Sequence, residues 1–184
     1  MQVEATEIPA VKILTPKKHG DARGFFSEVY NKAAFDHAGL DLTFVQDNHS
    51  FSAAVGTLRG LHFQTPPFAQ DKLVRVARGR ILDVAADIRR SSPTFGRYVA
   101  VELSAENWRQ LLIPIGFAHG FVTLEPDTEV LYKTTAVYSP AHDRGLAWDD
   151  PDIGVKWPLP AGGAVLSDRD RRWPRLKDAP DLFE

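Results

Sequence analysis

The sequence predicts an all-β protein, a jelly-roll barrel with a few short helices. Short apolar stretches recur between turn signals, about ten of them at roughly the 8–12 residue spacing of sandwiches and barrels. No long helical repeat and no βαβ alternation is present, which excludes Rossmann and TIM architectures. A chain of 184 residues fits one domain, 1–184, that buries a substantial core. A sheet of this many strands closes on itself to remove exposed edges.

In order along the chain, Val11 to Leu14 is a short β-like run that ends at the polar turn Thr15 to Asp21. Gly24 to Tyr30 alternates and reads as a strand. Asn31 caps a short helix through Phe35 to Ala38, stopped by Gly39. Thr43 to Gln46 reads as a strand. Lys72 to Val76 and Ile81 to Ala85 flank Arg78-Gly79-Arg80, which reads as a hairpin break. Tyr98 to Leu103 alternates, Ser104 to Asn107 turns, and Arg109 to Ile113 is a strand stopped by Pro114. Gly120 to Leu124 and Val130 to Val137 are strands separated by Glu125-Pro126-Asp127. The tail from Trp157, rich in Pro, Arg and Asp, is expected to wrap the barrel.

Composition narrows the function classes. Hydrophobic residues make up 43% and charged residues 25%, as in ordinary globular chains. The formal net charge of −2 supplies no global field for nucleic acid or an anionic membrane, so an anionic ligand needs a local basic cluster. With no cysteine, disulfides and thiolate metal sites are excluded, and a cytoplasmic location is expected. No apolar run approaches the ~18 residues of a membrane span, and Met1 to Thr6 lacks the basic start of a signal peptide.

The most informative stretch is Leu58-Arg59-Gly60-Leu61-His62-Phe63-Gln64. On a strand, Gly60, His62 and Gln64 share one face and Leu61 and Phe63 the other. An inward polar face lines a cavity; an outward one is a solvated strand with a structural histidine, and both readings stay open. Lys72, at the start of a strand, is placed either to steady an oxyanion or on the surface. Pro114-Ile115-Gly116-Phe117-Ala118-His119 suggests a tight turn presenting His119 at a barrel mouth. A metal site would add a His-x-His pair and a following Glu; position 64 is Gln and no Glu follows within ten residues of His62. Tyr132 faces the side of Val130 and Thr134, as a general acid or as a core aromatic. Arg23, Arg59, Lys72 and Arg169 are basic groups that a fold would have to gather into a phosphate site. The Gly-rich phosphate loops, the G-x-S-x-G elbow and the H-E-x-x-H helix are missing.

Several runs together resemble the dTDP-4-dehydrorhamnose 3,5-epimerase family over roughly residues 8 to 176. They are Gly20 to Glu28, Phe44 to Ser50, Leu58 to Gln64, Gln70 to Val74, Asp83 to Arg89, Ile113 to Phe121, Tyr132-Lys133, Trp148 to Pro151 and Leu166 to Asp170. The resemblance implies a cupin-type jelly roll and an isomerase acting without a cofactor or metal. The implied reaction is epimerisation of dTDP-4-dehydro-6-deoxy-D-glucose at carbons 3 and 5, in dTDP-L-rhamnose biosynthesis. It places the catalytic base on His62, its partner carboxylate on Asp170, the proton donor on Tyr132 and the group beside the C4 ketone oxygen on Lys72. Arg23, Glu28, Gln46, Asn48, Arg59, His119 and Arg169 match positions that hold the nucleotide-sugar. Tyr138 matches a further pocket aromatic and Asp143 an acidic substrate contact. The resemblance also implies a homodimer that exchanges N-terminal strands. A mono-epimerase acting at carbon 3 or carbon 5 alone and a non-catalytic sugar-nucleotide-binding barrel are the alternatives.

Overall fold

The computed structural model describes residues 1–184. Thirteen strands follow in chain order: β1 (Gln2–Ala5), β2 (Lys12–Thr15), β3 (His19–Asp21), β4 (Gly24–Phe26), β5 (Gln46–Ser52), β6 (Leu58–Gln64), β7 (Lys72–Arg78), β8 (Arg80–Asp87), β9 (Tyr98–Ser104), β10 (Gln110–Ile113), β11 (Phe117–Thr123), β12 (Thr128–Thr134) and β13 (Asp143–Gly145). Helix α1 (Lys32–His37) lies between β4 and β5, and a single 3₁₀ turn covers Leu176–Asp178. A six-stranded sheet runs β1-β2-β10-β7-β12-β5 and a five-stranded sheet β13-β6-β11-β8-β9. All strand pairings within both are antiparallel. The two sheets face each other as a jelly-roll barrel of the cupin type. No helix is long and apolar enough to cross a membrane.

Three apolar layers follow from strand alternation. Val74, Val76, Leu111, Ile113 and Val130 from the larger sheet meet Ile81, Ala85, Val101, Phe117 and Phe121 from the smaller one, filling part of the barrel interior. On the outer face of the smaller sheet, Leu61, Phe63, Val84, Ala86 and Ala118 are covered by Leu146, Ile153, Leu176 and Ala179 of the C-terminal segment. On the outer face of the larger sheet, Leu14, Leu73 and Leu112 are covered by Phe35 of α1 and by Leu40. Asn31 is the N-cap of α1, its side chain accepting from the Ala34 N–H at 3.2 Å.

Local departures from the sequence expectations have physical reasons. The Arg78-Gly79-Arg80 break does not join a hairpin: β7 and β8 belong to different sheets, so the turn carries the chain across the barrel. Gly79 has φ +78°, and a Cβ there would meet Thr128. The segment read as a polar turn supplies β3, which pairs with β4, and β4 stops at Phe26 rather than reaching Tyr30. Tyr30 turns instead into an aromatic cluster with Phe35 and Phe44, at centroid separations of 4.9 and 5.2 Å. Phe44 is thereby held by packing and not by a ladder, and β5 begins only at Gln46.

Candidate active site

Inward-facing positions on five strands converge in the half of the barrel that the apolar core leaves open. His62 on β6 stands in register with His119 on β11, and Tyr132 on β12 with Asn48 on β5. Lys72 begins β7, next to Thr134 of β12. Two adjoining cavities of about 340 and about 270 Å³ share His62, Lys72, Tyr132 and Arg169 in their walls. Gln46, Asn48, Tyr138 and Asp143 line the first; Arg59, His119, Ser167 and Asp170 line the second.

The His62 Nε2–H donates to Asp170 Oδ1 at 2.5 Å, across 108 residues of sequence. Nδ1 carries no hydrogen bond within the protein and keeps a free lone pair. Asp170 Oδ2 accepts from the Ser167 hydroxyl at 2.9 Å, and Ser167 Oγ accepts from the Asp170 N–H at 3.1 Å. Burial alone would raise the Asp170 carboxyl; the bonds from His62 and Ser167 outweigh it and hold the group below its ordinary range. The carboxylate therefore stays charged and fixes both tautomer and orientation of the imidazole.

Lys72 is buried, and its Nζ donates to the His62 carbonyl at 3.3 Å. Burial pushes its ammonium down from 10.5 to about 8, against the opposing pull of Asp143 and Asp83. The Tyr132 phenol is pushed up by burial, so it holds its proton until a stronger base develops beside it. The His119 Nε2–H donates to Asp83 Oδ1 at 2.7 Å, and burial lowers its pKa despite that partner, favouring the neutral ring. His119 lies within β11 and is buried, which corrects the expectation that it stands at a barrel mouth: the turn at Gly116 precedes the strand, and Phe117 and Ala118 are already in the ladder before it.

A polar chain rims the open side. Asp143 accepts from the Tyr138 hydroxyl at 2.9 Å and is ion-paired with Arg169. Gln46 accepts from the Tyr138 N–H at 2.8 Å and donates to Asn48 at 2.7 Å, while Asn48 donates to the Tyr132 carbonyl at 3.3 Å. Arg59 is held by Ser52 Oγ and the Phe51 carbonyl. Gln64 is buried, reaches the wall of the first cavity and ties down the loops beside it, donating to the Phe68 and Val137 carbonyls and accepting from the Ser139 N–H.

The structure does not bring every expected residue together. Arg23 sits on the exposed β3–β4 hairpin, ion-paired with Asp21, and Glu28 accepts from Asn31 nearby; neither lines the cavities of its own chain. Of the four scattered basic groups, Arg59, Lys72 and Arg169 gather and Arg23 stays out. Two groups escaped the reading of residues. Ser167 had a signal, the Ser-x-x-Asp spacing of a side chain that bonds its own turn. Asp83 had one too, a carboxylate within the apolar run Ile81 to Ala86. No group of three or more His, Asp or Glu side chains is arranged to hold a metal ion.

A jelly-roll barrel with a carboxylate-oriented imidazole, a buried ammonium and a protonated phenol around one cavity defines a cupin-type proton-transfer site. The sequence model described as dTDP-4-dehydrorhamnose 3,5-epimerase matches residues 5–178. A protein of that name from Salmonella typhimurium is 54% identical over 180 residues, 97% of each chain. The crystal structure of another from Bacillus anthracis, with TDP and pyrophosphate bound, is 49% identical with TM-score 0.91, covering 95% of this chain and 98% of that one. A 3,5-epimerase from Legionella pneumophila, in complex with dTDP-4-keto-L-rhamnose, is 42% identical with TM-score 0.93, covering 97% and 94%. The chain belongs to the dTDP-4-dehydrorhamnose 3,5-epimerase family.

Proposed function

We propose that this chain epimerises dTDP-4-dehydro-6-deoxy-D-glucose at carbons 3 and 5, giving dTDP-4-dehydro-L-rhamnose. The observation that carries the reading is the His62–Asp170 pair facing the same cavity as Lys72 and Tyr132. The C4 ketone acidifies the neighbouring C–H bonds. His62 Nδ1 takes a proton, the electron pair moves onto the ketone oxygen, and the Lys72 ammonium stabilises the enolate. Tyr132 delivers a proton to the opposite face and is restored from solvent as His62 releases its own. The ketone is the electron sink, so every atom and charge is accounted for with side chains of this chain.

Arg59, Arg169, Gln46, Asn48, Tyr138 and Asp143 are proposed to hold the nucleotide-sugar, with neutral His119 as a donor or acceptor inside the barrel. Taken together, the two adjoining cavities fall in the size range of small-molecule sites. Arg23 and Glu28 fit a homodimer in which each hairpin serves the other chain's pocket, and exposed Phe25 and Phe26, 56% and 69% accessible, are apolar surface for such a contact. A cysteine-free sequence fits action in the cytoplasm.

Incubation with the 4-keto sugar nucleotide in heavy water tests the reaction. Deuterium at carbons 3 and 5 is expected, with His62→Ala abolishing both. Uptake at one carbon would establish a mono-epimerase, and uptake at neither would overturn the enzymatic reading. Wild-type uptake by His62→Ala would remove His62 as the base.

A further inference from the structure

Gly145 on β13 lies directly across from His62 in the strand pairing. Its side-chain space is taken by another residue: a Cβ built on Gly145 would come within 2.5–2.6 Å of three atoms of the Trp173 indole. The indole therefore stands where the cross-strand neighbour of His62 would project. It meets the imidazole edge-on, with ring centroids 6.1 Å apart and planes at 67°. The Arg169 guanidinium also lies against the indole, 4.9 Å from the ring centroid. The Trp173 Nε1–H is buried and meets no acceptor in hydrogen-bonding geometry. Asp170, three residues earlier, is the carboxylate this N–H would meet: the indole is the smallest of the influences holding that carboxyl down, short of a formed bond.

The segment that carries Trp173 is fixed at both ends. The Arg171 and Arg172 N–H groups bond back to Ser167 and Arg169, and the Pro174 carbonyl accepts from the Ala147 N–H at 2.8 Å. A buried indole N–H without a protein partner costs free energy unless a water or a small movement of a neighbouring acceptor completes the bond. The nearest chain of contacts for such a movement runs from Tyr138 through Asp143 and Arg169 to the indole, all groups on the open side of the cavity.

We propose that Trp173 is a positioning residue for the His62–Asp170 pair. Its ring walls the imidazole against Gly145, and its N–H closes onto Asp170 when substrate draws in Arg169. The proposal rests on the reading of His62 and Asp170 as the base and its partner.

Trp173→Phe keeps most of the ring and removes the donor. In steady-state epimerisation of the 4-keto sugar nucleotide, it is expected to lower kcat about tenfold with KM within about twofold, because phenylalanine keeps a ring face for Arg169 and no substrate-holding side chain is replaced. Gly145→Ala, which keeps the indole but pushes it and its N–H out of position, is expected to lower kcat in the same way. Unchanged kcat in both folded variants, or a rise in KM alone, would overturn the positioning role. His62→Asn run alongside separates the two readings: inactive His62→Asn with wild-type Trp173→Phe sinks only the Trp173 proposal, whereas active His62→Asn sinks the base assignment itself. Circular dichroism and melting of each variant identify any loss that is only unfolding.

Discussion

Replacing Lys72 by Met is expected to kill the enzyme and stabilise the fold. The ammonium is buried and sits at about 8 instead of 10.5, with burial as the largest cause. At about 1.4 kcal/mol per pH unit, that displacement corresponds to roughly 3 kcal/mol of folding free energy held in the charged form. Between about 8 and 10.5 the unfolded chain binds the extra proton, so wild-type stability rises across that window. The cost is present in full below about 8 and absent above 10.5. Methionine matches the stem in length and carries no charge to desolvate. Loss of the pull on Asp83 and Asp143 takes back part of the gain, leaving about 1–3 kcal/mol at pH 7, or a few degrees of Tm for a chain this long. Urea unfolding at fixed protein concentration, at pH 7 and pH 10, measures the difference directly. A Met variant no more stable than wild type at pH 7, or an advantage that persists undiminished at pH 10, would refute the reasoning. Turnover is expected to fall about 10²–10³-fold, as when an oxyanion donor is removed.

Three further outcomes follow from the same geometry. If the cationic form of Lys72 is the active one, kcat/KM falls as pH rises through about 8, and a profile flat to pH 9.5 would contradict that. Tyr132→Phe is expected to retain deuterium uptake while losing roughly 10²-fold or more in formation of the fully inverted product, and equal loss of both steps would argue against a donor role. Gly79→Ala is expected to cost about 1–3 kcal/mol in denaturant unfolding, because alanine is strained at φ +78° and its Cβ meets Thr128; a wild-type midpoint would show that the turn relaxes freely.

Much of the architecture was legible where one strand obeys one period. Val130, Tyr132 and Thr134 alternate into the barrel, Leu61 and Phe63 alternate out of it, and Asn31 caps its helix as its residue type and the following periodicity indicate. The sheet to which each strand belongs was not legible. Lys72 to Val76 and Ile81 to Ala85, joined through one glycine, have the local pattern of a hairpin, and only the packing of the whole barrel sends them to opposite sheets. The site divides similarly. His62 was ambiguous on its strand because face alternation does not say which face is inside. Asp170 in a polar tail carries no local mark at all, and its place rested on the resemblance. Trp173 was unreadable for the same reason, since its partner is the missing side chain of Gly145.

The separation of His62 from Asp170 by 108 residues has a consequence in time. The barrel strands that bear His62, Lys72, His119 and Tyr132 are all synthesised before Ser167 leaves the ribosome. A nascent chain can close its sheets and line its cavity while the imidazole still lacks the carboxylate that orients it. On the proposed reading of the pair, proton transfer waits until the segment Ser167 to Asp170 has docked against His62. The same segment supplies Ser167, Arg169 and Asp170 to the cavity, so on that reading the wall and the base's partner would be completed in one step.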